Sequence, residues 1–163
     1  MKTVVHLSHI LQQEVDGFTS AIERAETIRT SIFRHDWKQL TESLEKMEKL
    51  SGYLTALEKE RMHVFEKLRN EVEAGPSAGF YTVVVQLPKD EQDLVSELFR
   101  KLKSQVLQLQ GVVWSIDAYT RSISTTIYDI LQEIFPHKRG TMYSKTGKKR
   151  STDNDPLVVN HQL

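Results

Sequence analysis

Three long stretches of the chain carry an apolar residue about every 3.5 positions, the spacing that keeps one face of a helix turned toward a partner helix. The first seam runs Val4, Leu7, Leu11, Val15, Phe18, Ile22, Ala25, Ile28, Ile32. The second runs Trp37, Leu40, Leu44, Met47, Leu50, Leu54, Leu57, and resumes at Phe65, Leu68, Val72. The third runs Leu98, Leu102, Val106, Leu109, Val113, Ile116, Thr120, Ile123, Ile127, Ile130, Ile134. Most of these positions are expected to form a shared core. The predicted fold is all-α, an antiparallel, coiled-coil-like bundle of three long helices over residues 1–135. A flexible, polar, basic tail over residues 136–163 follows it.

The breaks between seams are explicit. His35-Asp36 interrupts the first period, and Asp36 with Gln39 three residues later reads as a capping box opening the second helix. So short a connection makes the first two helices antiparallel neighbours. Gly75-Pro76-Ser77-Ala78-Gly79 ends the second helix and begins a linker near 75–88, where glycine supplies a positive φ and proline removes a donor. Within the linker, Phe80 to Leu87 is β-branched and aromatic and reads as extended chain, either packed over one end of the bundle or exposed as an edge. Pro88 opens the third helix, with Asp90, Glu91 and Asp93 near its positive N-terminus.

At about 1.5 Å per residue the third helix would reach roughly 70 Å against about 50 Å for the first, so it overhangs or bends. Its last turns are the widest apolar part, since Tyr128, Leu131 and Phe135 flank the seam. Either Phe33 and Trp37, at the first turn-around, cover this width, or it is an exposed binding face made of Ile123, Ile127, Ile130, Leu131 and Ile134. Trp37 itself is expected to be a buried structural residue.

Composition narrows the function. Lys plus Arg equals Asp plus Glu at 22 each, so the net charge is zero, unlike a general nucleic-acid binder. From Pro136 onward six basic residues meet two Asp, leaving the tail at +4 and the remainder at −4. There is no cysteine, hence no disulfide framework or thiolate metal site. His6 and His9 could share a face, but no carboxylate adjoins them in sequence, and no metal site is expected. Ser43-Leu44-Glu45-Lys46 and Lys145-Thr146-Gly147 imitate penicillin-recognising boxes in the wrong order. Gly140 to Lys148 imitates a phosphate loop with the wrong glycine spacing. No catalytic site and no cofactor are expected. The longest apolar run is far below the roughly 20 residues that span a bilayer, so no stable membrane insertion is expected and a cytoplasmic location is the default.

Two segments carry a family resemblance. The turn Phe33-Arg34-His35-Asp36-Trp37-Lys38-Gln39-Leu40 is followed by Leu44, Lys49-Leu50 and Leu57-Glu58-Lys59-Glu60-Arg61. It resembles the acidic-aromatic turn and Leu-rich helix of FlgN-type flagellar export chaperones. The tail Tyr143-Ser144-Lys145-Thr146-Gly147-Lys148, closing with Leu157-Val158-Val159-Asn160-His161, is similar to that family's final segment. Where the family often has paired Asn on its third helix, this chain has Gln110, Trp114 and Asp117. The resemblance implies a cytosolic, non-enzymatic chaperone that binds the C-terminal helical segments of the hook–filament junction proteins FlgK and FlgL. Such a chaperone delivers them to the type III export apparatus. In that setting the five apolar residues from Ile123 to Ile134 would hold the client, and Tyr143 would dock on the cytoplasmic domain of the export gate. The competing expectation is a structural coiled-coil scaffold that self-associates through the same seams.

Overall fold

The structure, a computed structural model, describes residues 2–134, and among these every regular element is a helix. In order they are α1 (Lys2–Arg34), α2 (Trp37–Glu71), α3 (Phe80–Val84) and α4 (Lys89–Ile134). The chain divides into two units, Met1–Ala118 and Tyr119–Leu163.

In the first unit α1 and α2 form an antiparallel hairpin, shown by contacts that run in opposite directions along the two helices. Thr3 donates to Glu71, Arg61 pairs with Glu14, Leu54 lies over Gly17, and Ser31 meets Gln39. The packing there is close, since a Cβ at Gly17 would sit 2.6 Å from Leu54 Cδ2 and the leucine tip would have to shift to admit it. The buried row of α1 contains the expected Val4, Leu7, Leu11, Val15, Ile22, Ala25 and Ile28, together with Ile10, Glu14, Ala21 and Ser31. On α2 the covered positions step by three and four through Leu40, Ser43, Met47, Leu50, Leu54, Leu57, Arg61, Val64 and Leu68. Two of these are polar, so the apolar pattern had slipped by one residue. Leu44 is exposed and Ser43 is buried in its place, while Arg61 and Val64 bridge the gap before Leu68.

Trp37 is a correction. It is 61% exposed and meets the His35 ring at a tilt, 5.7 Å between centroids, rather than covering the turn as a buried ring. Being the first residue of α2, it stands on the outer side of the row that begins at Leu40. The Asp36 cap holds in one direction only. Its carboxylate accepts from the Gln39 N–H at 3.0 Å, but the Gln39 side chain reaches across the hairpin to the Ser31 hydroxyl, 2.9 Å away. The Asp36 N–H is satisfied instead by the Ser31 carbonyl at 2.9 Å. That closure puts His35 at φ 56°, and Glu73 at φ 54° ends α2 in the same manner, with Ala74 N–H donating to Arg69 O at 3.0 Å. Non-glycine residues therefore occupy both left-handed positions. Gly75, expected to supply the positive φ, follows the turn that Glu73 has already made.

The expected extended segment is also corrected. Phe80–Val84 is one short helix, and Val83 and Val84 are both fully buried. In a strand, successive side chains leave on opposite faces, so an isolated strand could not bury both. It would also leave its backbone groups unpaired. The turn satisfies them internally, with Val83 N–H to Gly79 O at 3.2 Å and Val85 N–H to Tyr81 O at 3.1 Å. Phe80 stacks between Phe65 of α2, at 5.7 Å, and Phe99 of α4, at 3.8 Å between ring centroids. Val95, Leu98 and Leu102 of α4 complete the core with Leu7, Leu11, Val64 and Leu68.

Candidate functional site

The described part of the second unit is the last stretch of α4, residues 119–134. Its helical period places Ile123, Ile127, Ile130, Leu131 and Ile134 within one broad stripe, because positions three and four apart share a face. Ile123 is partly covered. The other four are exposed, Ile127 at 53% and Ile134 at 60%, and Tyr128 beside them at 62%. Asp129 and Glu133 are exposed within the same turns. The stripe offers a wide apolar surface, which is what a second amphipathic helix would cover.

The other predicted docking residue, Tyr143, lies outside the described residues, as does the whole segment 135–163. His6 was expected to have no carboxylate beside it. The fold brings Glu60 from α2 to 3.0 Å from its Nε2, a pairing across 54 residues that no local pattern reveals. The pair is about half exposed, and no cluster of three or more metal-ligating side chains occurs among the described residues.

Sequence reading missed the most unusual polar group. Glu14 is 2% exposed at a seam position of α1. Its partner is Arg61 of α2, whose Nε lies 3.0 Å from Oε1 and 2.8 Å from Oε2. The N–H is aimed at Oε1, and Oε2 has no hydrogen-bond donor. Burial pushes the Glu14 carboxyl above its ordinary range, and the Glu58 charge adds to this, while Arg61 pulls the other way. The spacing itself held the signal: the strict three-and-four series from Val4 passes through Glu14, and that from Leu40 passes through Arg61. Selecting only apolar residues hides both.

No protein-family model, curated protein or solved structure matches the chain. Among the described residues no helix is long and apolar enough to cross a membrane.

Proposed function

We propose that this protein is a non-enzymatic, cytoplasmic export chaperone of the FlgN type. It holds the C-terminal helical segments of the hook–filament junction proteins FlgK and FlgL and passes them to the type III export apparatus. The observation that carries this reading is the exposed stripe Ile127, Ile130, Leu131, Ile134 on a helix whose first turns bury Val95, Leu98 and Leu102. Contiguous exposed apolar residues on a helix face mark a surface that another molecule covers. An amphipathic client helix meets that requirement with its own apolar face. The resemblance at Phe33–Leu40 supplies the flagellar assignment, and Tyr143 keeps its proposed role as the export-gate anchor. The finer architecture belongs to the same reading: up to Ala118, α4 is the third member of an antiparallel bundle. Supporting this, Phe65 and Phe99 both stack on Phe80, and Leu102, Val106 and Leu109 line one groove with residues of α1 and α2.

The test is calorimetric titration of the full chain with peptides from the C-terminal helices of the two junction proteins. Burying each large aliphatic side chain is worth about 1.5–3 kcal/mol. Ile127→Asp with Ile134→Asp should therefore weaken a micromolar complex by about a hundredfold or more, with no loss of helicity. Unchanged affinity in the double variant would remove the site. Self-association of the wild type that the same variant abolishes, without peptide binding, would establish the scaffold instead.

A further inference from the structure

A groove of about 430 Å³ runs between α1, α2 and the proximal part of α4, wholly within the first unit. Phe18, Met47, Leu54, Leu102, Val106 and Leu109 make it mainly apolar, and Glu14, Glu58 and Arg61 stand at one end. Its lining on α2 extends from Met47 to Arg61, a run of about 21 Å at 1.5 Å per residue, or about four helical turns. The space is too small for a whole helix. It is the right form for several side chains projecting from a helix laid along it.

The polar end is incomplete. Two carboxylates and one guanidinium line it, and Glu14 Oε2, though buried and 2.8 Å from Arg61 Nε, receives no hydrogen bond. A buried, under-satisfied carboxylate is costly unless a donor reaches it. Arg61 Nε lies against both oxygens with its N–H aimed at Oε1, which leaves Oε2 able to accept one further donor. A compact ammonium with three rotatable donors suits it better than a second planar guanidinium, whose advantage is bidentate pairing. We propose that this groove seats a partner's amphipathic helix carrying one lysine within its apolar face, the ammonium donating to Glu14 Oε2 while neighbouring aliphatic side chains fill the space toward Met47. This site is separate from the distal stripe of α4 and does not depend on the chaperone assignment.

The probe is an 18-residue helical peptide with Leu and Ile at i, i+3, i+4 and i+7 positions and a central Lys on the same face, compared with its norleucine counterpart. Both are titrated against the full chain, with methyl NMR shifts locating the contact. The Lys peptide should bind at least about tenfold more tightly than the norleucine peptide, the value of a hydrogen bond between charged groups. Shifts should centre on Leu54, Leu102 and Val106. Glu14→Gln should bring the two peptides to within about threefold of each other. Thr55→Trp, at the exposed rim of the groove, should block both peptides while leaving the circular dichroism unchanged. Equal affinity of the two peptides for the wild type, absence of binding, or shifts confined to the last turns of α4 would each overturn the proposal.

Discussion

Val95, Leu98 and Leu102 at the start of α4 and Ile127, Ile130 and Ile134 at its end follow the same three-and-four spacing, yet the first three are buried and the last three exposed. The difference comes from their neighbours. The early residues meet Val83, Val84 and Leu68 in one cluster, whereas the late ones belong to a separate unit and present their apolar faces to solvent. A helical period states that a face needs covering. It does not say whether the cover belongs to the same chain.

The sharpest way to break this contrast is truncation at both ends of the helix. Leu98→Ala and Leu102→Ala should each cost about 2–5 kcal/mol in urea unfolding, because each removes a buried side chain that packs in the core cluster. Ile127→Ala and Ile130→Ala should stay within about 0.5 kcal/mol of the wild type. Equal losses at both ends would make the distal stripe part of the core and end its candidacy as a client face.

Glu14 sharpens the comparison from the opposite side, as a charged group placed where an apolar one would be expected. Its carboxyl pKa is raised on folding, chiefly by burial. The stability associated with it is therefore fully present at pH values below the unfolded-state pKa and is lost as pH rises through the folded one. Subtracting the unfolding free energy of Glu14→Gln from that of the wild type between pH 4 and 7.5 should give a difference that falls with pH. A difference that rises would mean that the Arg61 pairing outweighs desolvation.

At the hairpin turn the same logic separates a small residue from a large one. Asp36→Ala should cost about 1 kcal/mol by leaving the Gln39 N–H without its acceptor. Trp37→Ala, 61% exposed, should cost less than about 1 kcal/mol, well short of the 3–5 typical of a buried aromatic. Thermal melts of the two variants measure this directly, and a larger shift for Trp37→Ala would restore the tryptophan to the core. One expected effect is a gain: Glu73→Gly should stabilise by up to about 1 kcal/mol, since glycine holds φ near 54° without strain.

The sequence alone determined the three long helices and the breaks between them. Helix formation depends on local spacing, and His35-Asp36 and the segment after Glu73 interrupt that spacing visibly. It also marked the last turns of α4 as broader than one partner would bury. Tertiary structure decided which rows are covered. Ser43 rather than Leu44 faces inward, Glu14 meets Arg61 across 47 residues, and Phe80–Val84 folds as a helical turn because two adjacent valines must enter one core. Burial depends on the direction from which a neighbouring helix arrives. A periodicity along one chain fixes the spacing of a face and leaves that direction open.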